Sequence, residues 1–562
     1  MNRLSDYLNQ DCFCFSPDVD ALKKALQADS VLSDWWPHLQ DSHSHLFSAT
    51  GLFVSQTQLM AMHEAVRVLH EAMTSTAWRD HVQAPQPYGL PQVPRGVFMG
   101  YDFHLTESGP KLIEINTNAG GAMLNLALTR AQHACCDAAL DWLRTATDVS
   151  QLESKWLDMF AQEWALQRPV EPFVPQTGPK RTLAIVDEAP ESQYLYPEFL
   201  LFQDLLRRGG LEVVIAAPQA LTWVNGQLQH QGQRIDMVYL RLTDFDLSDP
   251  AHAALRQAWV SGACVFTPNP ETHALHANKR HLAALSDAAL GSEMGWSAHT
   301  QAVLANVVPQ TQLLTPENAD QLWAERKHYF FKPLTGFGSK AAYRGDKLTT
   351  KTWAQISQLP YVAQALIPPS QRVVKVNDER KTLKADIRAY AYDGQVQLFA
   401  ARLYDGHAGL HRIQKSWRRR SGAAVMRHQQ PIGLQDLTAL QQLLLLGGFD
   451  IACQQCRCVG RRHTQHTTQR IRFELALVVS STWVQHLKPH TIPHPRLPAF
   501  AALHRTQLLQ RMFGRDGSQH IGLRLHGQHR CCAPGVVAVA VAEHQGVDAL
   551  AHLRQQGHQH PV

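Results

Sequence analysis

The chain has 562 residues, of which 44% are hydrophobic and 18% are charged, and its formal net charge is +5. This length permits three or four domains, and so modest a charge does not by itself indicate a nucleic-acid partner. The polar first ten residues and the lack of any apolar run near the roughly 20 residues of a membrane helix predict a cytoplasmic protein with no membrane segment. The ten cysteines form short clusters apart from one isolated residue, which favours reduced thiols.

Residues 1–170 are predicted to be a mainly helical region that also carries a polar motif on a strand. Apolar spacing predicts helices over 61–77 and 126–143, and residues 97–116 are predicted to form two strands around a turn at 106–110. In the second strand, Glu114 and Asn116 project from one face because side chains alternate along a strand. Two hard oxygen ligands directed at one point are typical of a magnesium site. The alternative is an edge strand whose polar residues face solvent.

A proline-rich connection at 168–179 marks a boundary, after which strands and helices alternate. Strands are predicted at 182–186, 212–216, 235–240 and 264–267, with helices at 196–208 and 251–260. This order predicts an α/β domain over 180–295. Arg241 follows one of these strands, at the edge where open α/β sheets bind ligands, and is therefore a candidate for pairing with a substrate carboxylate. A plain surface arginine is the alternative interpretation.

Residues 296–405 are predicted to form a subdomain rich in hairpins, the clearest being 384–404 with Asp393-Gly394 as its turn. A short strand over 329–332 ends at Lys332 and leads into a glycine-containing loop. The lysine supplies a point charge, while Gly336 and Gly338 allow backbone amides to approach an anion. Turn formation alone is the alternative role of these glycines. Lys279 begins a predicted helix after Asn278, which can cap it.

Several of these segments, in this order, resemble the ATP-grasp ligases, and in particular the circularly permuted branch that includes eukaryotic glutathione synthetase. The resemblance covers about residues 90–405. It is carried by Tyr101-Asp-Phe-His104, Glu114-Ile-Asn-Thr117, Lys279, Lys332, Val362-Ala-Gln-Ala-Leu366, Asp386-Ile-Arg388 and Arg402.

The resemblance implies a mixed α+β and α/β architecture, namely a circularly permuted ATP-grasp fold with an α/β substrate domain. It implies ATP-dependent joining of a carboxylate to an amine through an acyl-phosphate, with Mg²⁺ and with small amino-acid or peptide substrates. A homodimer is one possible assembly, and neither a membrane nor a nucleic acid is expected as a partner.

The same resemblance assigns roles to individual residues. Lys279 and Lys332 would hold the nucleotide phosphates, beneath the loop that contains Gly336 and Gly338. Arg388 would steady the transferring group. Glu114 and Asn116 would hold Mg²⁺, and Asp386 would lie beside the nucleotide as a candidate further metal ligand. The adenine would meet Gln364, Ala365 and Leu366.

Two departures from the glutathione enzymes favour another product or a loss of activity. Gly100-Tyr101 stands where those enzymes carry an arginine, and residues 334–340 lack the acidic residue that follows their strand lysine. The alternative function is therefore a catalytically defective ATP-binding protein without a complete lid.

The segment 406–562 is rich in histidine, arginine and glutamine, and it looks little like a packed domain. One interpretation is a zinc site formed by Cys453, Cys456, Cys458, His463 and His466. Another is a frameshifted translation, because Trp417-Arg-Arg-Arg420 replaces a glycine-rich closing segment, and a Trp codon followed by CGG codons encodes Gly-Gly-Gly when shifted by one nucleotide. Resequencing of codons 404–420 would decide whether the tail is a frameshifted translation. A basic nucleic-acid module is ranked last because aromatic residues are sparse.

Overall fold

The structure is a computed structural model with a mixed α/β architecture. It describes residues 3–11, 51–87, 93–132, 143–145, 149–335, 341–376 and 379–405, together with four short strands beyond residue 405. The α-helices are α1 Arg3–Asp11, α2 Gln56–Thr74, α3 Thr76–Val82, α4 Ala122–Gln132, α5 Leu152–Gln167, α6 Tyr196–Arg208, α7 Ala253–Val260, α8 Pro270–His276, α9 Arg280–Leu285, α10 Ala288–Glu293, α11 Ala298–Val307, α12 Ala319–Ala324 and α13 Thr350–Ile356.

The strands are β1 Leu52–Ser55, β2 Met99–Thr106, β3 Gly109–Asn116, β4 Leu143–Thr145, β5 Thr182–Val186, β6 Glu212–Ala216, β7 Leu221–Val224, β8 Gln227–His230, β9 Gln233–Arg234, β10 Met237–Leu240, β11 Val265–Thr267, β12 Thr311–Leu313, β13 Tyr329–Pro333, β14 Tyr343–Arg344, β15 Tyr361–Ala365, β16 Ser370–Val376, β17 Glu379–Tyr392, β18 Gln395–Tyr404, β19 Phe449–Gln454, β20 Arg457–Arg462, β21 Leu475–Val479 and β22 Ala538–Ala542.

Helix α2 begins five residues earlier than its apolar spacing predicts, because Ser55 and Gln58 form a capping box. The Ser55 hydroxyl accepts a hydrogen bond from the Gln58 amide at 3.2 Å, and the Gln58 side chain accepts one from the Ser55 amide at 3.4 Å. The predicted helix over 61–77 is in fact two helices. Ser75 is extended between them and caps α3 by accepting from the amide of Trp78.

The helix predicted over 126–143 also differs from the structure. It begins at Ala122, where buried Glu198 accepts hydrogen bonds from the Gly121 and Met123 amides. A carboxylate at this end of a helix satisfies amides that have no partner within the helix. Residues 133–142 lie outside the described part, and Leu143 starts strand β4, so the prediction of helix at that residue is wrong.

The predicted order of strands and helices over residues 182–267 is confirmed. The parallel sheet of this region has the strand order β11-β10-β5-β6, with Leu240 opposite Val186 at the carboxyl edge. Helices α5 and α6 pack on one face through Trp156, Phe160 and Phe202. The small antiparallel sheet β7-β8-β9 is an addition that the sequence pattern did not predict.

A second, antiparallel sheet is organised around the long strand β17. Its first half pairs with β16, while its second half lies between β18 on one side and β2 on the other. The predicted Asp393-Gly394 turn is confirmed, and both residues have positive φ, as a two-residue hairpin of this kind requires. Hairpin β2–β3, from early in the chain, therefore belongs to the same sheet as strands formed almost 300 residues later.

The two faces of this sheet differ in character because β17 alternates. Ile387 and Ala389 point into a core formed with α2, α9 and α11, whereas Tyr390 and Tyr392 point into the core shared with the α/β domain. Arg388 belongs to the second face by the same alternation. That face thus continues from buried tyrosines into charged residues.

A smaller sheet, with strand order β12-β15-β13-β14, has its own core against α12 and α13. Phe331 is fully buried at the centre of that core. Lys332 follows Phe331 on β13, and Gln364 follows Ala363, the residue opposite Phe331 on β15. Both therefore lie on the opposite face from the core residues Phe331 and Ala363. This places both polar side chains towards hairpin β2–β3.

Beyond residue 405, the structure describes strands only. Strands β22 and β21 form a sheet with β1 and β4, in the order β1-β22-β21-β4, and β19 pairs with β20 so that Cys453 lies opposite Cys458. The other proposed zinc ligands, Cys456, His463 and His466, lie outside the described residues, as does the Trp417 segment. Among the helices that are described, none combines the length and apolar character needed to cross a bilayer.

Replacing Phe331 with alanine should destabilise the small sheet. Loss of a buried aromatic ring from a packed core costs about 3–5 kcal/mol. Urea unfolding followed by tryptophan fluorescence should show this loss, because Trp353 packs against Phe331. Leu359→Ala is the control, since Leu359 is 52% exposed. Equal stability losses in the two variants would contradict this account of the core.

Candidate active site

One face of the β17 sheet carries six charged or amide side chains, contributed by four adjacent strands. Register places Asp102 opposite both Glu114 on β3 and Arg388 on β17, and it places Asp386 opposite Arg402. Residues opposite one another in a sheet share a face. The site face consists of Asp102, Glu114, Asn116, Asp386, Arg388 and Arg402.

A bulge in β3 brings Glu114 and Asn116, the predicted magnesium ligands, onto this face. Asp102 pairs with Glu114 but the next residue, Phe103, pairs with Leu112, so Ile113 is the extra residue. Strict alternation would put Leu112 on the same face as Glu114. With the bulge, Leu112 and Ile115 both enter the core, while Glu114 and Asn116 remain on the site face.

Asp102 is the buried centre of the site, with only 1% of its surface exposed. It accepts two hydrogen bonds from Arg388 at 2.7 and 2.8 Å, one from Arg402 at 2.8 Å and one from the Asn116 amide group at 3.2 Å. Burial alone would raise the pKa of Asp102. The two guanidinium groups outweigh that effect and lower its pKa to about 2.

Arg402 bridges Asp102 to Asp386. Its Nε and NH2 groups donate to the two carboxylate oxygens of Asp386 at 2.7 and 3.2 Å. This is the bidentate geometry that a planar guanidinium favours. Asp386, predicted from the resemblance to lie beside the nucleotide, is therefore ion-paired with arginine in this structure.

Lys279 reaches the site from the α/β side of the molecule. Its ammonium lies 3.2 Å from the Glu114 carboxylate. Helix α9 begins one residue later than predicted, at Arg280, so Lys279 rather than Asn278 is its N-cap residue, and the Asn278 side chain accepts from the Arg280 amide at 3.0 Å. The Lys279 amide also donates to the carbonyl of Leu334, at the entrance to the glycine loop. Residues 336–340 of that loop, including Gly336 and Gly338, lie outside the described residues.

Lys332 enters the site from the small sheet and contacts the bulge. Its Nζ donates to the Ile113 carbonyl at 2.6 Å and to the Gln364 side-chain oxygen at 2.7 Å. Burial lowers the pKa of Lys332 to about 8, with nearby Lys279 adding to the shift and Glu114 opposing it. A lysine so poorly hydrated is stabilised by an added anion.

The predicted adenine-binding segment is the end of β15. The Gln364 side chain binds Lys332, as above, while the amides of Ala365 and Leu366 donate to the carbonyls of Gln310 and His328, each at 2.8 Å. Contact between this segment and adenine stays a prediction.

Arg241 is buried rather than a surface residue, with 7% of its surface exposed. Its guanidinium donates to the Asn118 side chain and, at 3.2 Å, to the Tyr239 hydroxyl. Among the described residues its Nε–H finds no acceptor. A Cβ on Gly120 would lie against the Leu195 side chain and 2.8 Å from the Arg241 NH2 group, so a larger residue there would require these side chains to shift. Arg241 thus lies against the loop that follows Asn116.

The donor set fits Mg²⁺ bound to a nucleotide. Glu114 offers carboxylate oxygens and Asn116 an amide oxygen, and the described residues contain no group of three His, Cys, Asp or Glu side chains arranged as a metal cage. Mg²⁺ characteristically takes one or two protein carboxylates and fills its remaining positions with phosphate and water.

Sequence reasoning missed three features of the site. These are the central role of Asp102, the carbonyl released by the bulge at Ile113, and the cap that Glu198 provides to α4. The sequence does contain a signal for Asp102, since it lies in the Tyr101–His104 segment that carries the family resemblance. The other two depend on packing between distant segments.

Comparisons with known proteins gave matches to structures only. No protein-family model matches the sequence, and no curated protein does. A glutathione synthetase-like effector from Globodera pallida is similar with a TM-score of 0.41 and 11% identity, over 64% of this chain and 87% of that chain. A putative gamma-glutamylcysteine synthetase from Methylobacillus flagellatus gives a TM-score of 0.34 and 11% identity, over 62% and 83%.

The ATP-grasp ligase PsnB, in complex with minimal precursor, Mg and ADP, gives a TM-score of 0.22 and 17% identity, over 43% of this chain and 94% of that chain. All three TM-scores are below 0.5. Function is therefore inferred below from the geometry of the site.

The lowered pKa of Lys332 should appear in the pH dependence of stability. Between pH 8 and about 10.5 the unfolded chain binds a proton at this lysine that the folded chain has lost. The free energy of unfolding of the wild type should therefore rise with pH in this window relative to Lys332→Met. Urea titrations at pH 7 and pH 10 measure the difference.

Lys347→Met, at a lysine whose side chain is 66% exposed, corrects for the loss of one positive charge. If the stability difference between wild type and Lys332→Met is the same at both pH values, Lys332 is not desolvated as described.

Proposed function

We propose that this protein is an ATP- and Mg²⁺-dependent carboxylate–amine ligase that works through an acyl-phosphate. One observation carries the proposal. Lys279 contacts Glu114, Lys332 contacts the Ile113 carbonyl next to it, and Arg388 shares the sheet face of Glu114 and Asn116. Cations on several sides of a hard-oxygen pair suit a triphosphate and its metal ion.

We further propose that the fold is a circularly permuted ATP-grasp fold. Hairpin β2–β3, which carries Glu114 and Asn116, pairs with β17, yet it precedes both lysines in the chain. In this proposal residues 180–295 form the substrate domain and residues 296–405 the nucleotide-binding subdomain, with the metal motif supplied by residues 1–170.

The chemistry requires charge neutralisation and alignment rather than a protein nucleophile. A substrate carboxylate oxygen attacks the γ-phosphorus of ATP, and the bond to the β-phosphate oxygen breaks, giving an acyl-phosphate and ADP. The amine then attacks the acyl carbon, and phosphate leaves as the amine loses a proton. Lys332 and Lys279 bind phosphate oxygens, and Arg388 faces the transferring group. Mg²⁺, held by Glu114 and Asn116, would neutralise charge on the phosphates.

Binding of the nucleotide would rearrange one contact of the free protein. Lys279 and Glu114 neutralise each other across 3.2 Å. In the loaded site each would exchange this partner for one of opposite charge, the lysine for phosphate and the glutamate for the metal ion. This exchange keeps these partly buried charges paired throughout.

Arg241 supplies the proposed substrate contact. It is held between Asn118 of the motif loop and Tyr239 of β10, at the carboxyl edge of the parallel sheet. Ligands bind at this edge in open α/β sheets, and a guanidinium pairs well with a carboxylate. The substrate class is thus an amino acid or small peptide that presents a carboxylate.

One observation favours the second candidate, an ATP-binding protein without turnover. Asp386, the expected further metal ligand, is ion-paired with Arg402, and Asp102 is ion-paired with two arginines. A Mg²⁺-dependent ADP-release assay over a panel of amino acids and small peptides separates the candidates. Release stimulated by a carboxylate together with an amine supports the ligase, and tight ATP binding with no release across the panel supports the second candidate.

Glu114→Gln should reduce turnover much more than ATP binding. The variant keeps the shape of the side chain but weakens its hold on a metal that neutralises transition-state charge, so we expect a loss of turnover of at least about 100-fold. ATP affinity, measured calorimetrically, should change by less than about tenfold because the lysines remain.

Glu107→Gln is the matched control, since Glu107 is exposed in the turn of the same hairpin. Undiminished turnover in Glu114→Gln, or an equal loss in the control, would remove the proposed role of Glu114.

A further inference from the structure

The hydrogen bond between Asn116 and Asp102 determines which end of the Asn116 amide faces the metal position. The Asn116 Nδ2 group lies 3.2 Å from the Asp102 Oδ2 atom. Asp102 is held by two guanidinium groups, so it is a carboxylate with no proton to donate. Only the NH2 end of the amide can form this bond, and the Oδ1 end is directed away from Asp102.

We propose that Asp102 is a positioning residue, which orients the Asn116 amide so that its oxygen, rather than its NH2 group, is presented to Mg²⁺. The inference rests on the proposed function, because it assumes that Asn116 is a metal ligand. It adds a residue that does not touch the metal but decides whether Asn116 can bind it.

The orientation needs a fixed partner because an amide has two ends of nearly the same shape. An unrestrained asparagine can turn over about its terminal bond, and in one of its two orientations it presents N–H donors to the cation. A cation repels that end. If the amide oxygen already faces the metal position before the metal binds, no binding free energy is lost in turning the amide. Residues behind metal ligands commonly have this orienting role.

Asp102 is itself held firmly enough for this role. Both of its oxygens accept from Arg388, one of them also accepts from Arg402, and the residue is 1% exposed. Its backbone lies between β3 and β17, which fixes the side chain from both directions. The carboxylate cannot turn towards the metal without leaving two arginines unpaired.

The test exchanges the carboxylate at position 102 and the amide at position 116. Binding of Mn²⁺, as a spectroscopic substitute for Mg²⁺, is followed by electron paramagnetic resonance with a saturating non-hydrolysable ATP analogue. Asp102→Asn should weaken Mn²⁺ binding by about 10–100-fold, the usual cost of losing a partner behind a metal ligand. The double variant Asp102→Asn/Asn116→Asp should bind within about threefold of the wild type, because a carboxylate at position 116 presents oxygen at either end.

Two further measurements separate orientation from general damage. Affinity for the ATP analogue without divalent metal should be the same for the wild type and Asp102→Asn, since the lysines are intact. Asp393→Asn is the matched control, because Asp393 also pairs with an arginine, Arg95, but lies in the turn of the separate hairpin β17–β18. It should leave Mn²⁺ binding unchanged.

The inference is overturned if Asp102→Asn binds Mn²⁺ like the wild type, if the double variant binds as weakly as Asp102→Asn, or if the metal-free affinity falls equally. A wild-type protein that binds no Mn²⁺ with the analogue would instead refute the proposed function, and the inference with it. The wild-type titration therefore distinguishes the two failures.

Discussion

The pairing of β2 with β17 is the contact on which the rest of the site depends. It joins residues 99–103 to residues 387–391 and sets Asp102 directly opposite Arg388. Closing so long a loop is entropically costly, and the pairing is stabilised by burial on both faces of the sheet. Phe103 and Ile387 are fully buried on one face. On the other face, the ion pair between Asp102 and Arg388 lies beside the buried Tyr390.

Charge at the site is arranged so that opposite charges are always neighbours. Asp102 lies between Arg388 and Arg402, and Glu114 faces Lys279. Buried charges are tolerated only when they are paired in this way. Lys332 departs from this pattern, because the two hydrogen-bond partners of its ammonium are an uncharged carbonyl and an uncharged amide. Its depressed pKa shows the cost of that environment, and it is the position where an added anion would be most stabilising.

Small backbone irregularities decide how these charges meet. The extra residue Ile113 in β3 lets Leu112 and Ile115 share the core while Glu114 and Asn116 share the site face. Its carbonyl, left out of the ladder by the bulge, then accepts from Lys332 of another sheet. The same irregularity therefore directs Glu114 and Asn116 to the site face and connects the two sheets.

The sequence alone determined the local elements, because their signals are local. Strand β5, helix α6 and strand β6 match their predicted bounds, and so does the turn of the β17–β18 hairpin. Glycine at a left-handed turn and alternating apolar residues act over a few neighbours. The boundary errors at α2 and α4 arose from caps, and one of those caps, Glu198, lies more than 70 residues away.

Only the tertiary structure decided which of the candidate residues meet. Local pattern singled out Glu114 and Lys332, but it did not show that Lys279 and Arg388 lie near them, because that proximity depends on strand pairing and burial over long separations. No local pattern specifies that Asp102 will be buried between two arginines and bonded to Asn116. Register between distant strands is set by the packing of whole faces, and a shift of one residue would turn every side chain to the opposite face.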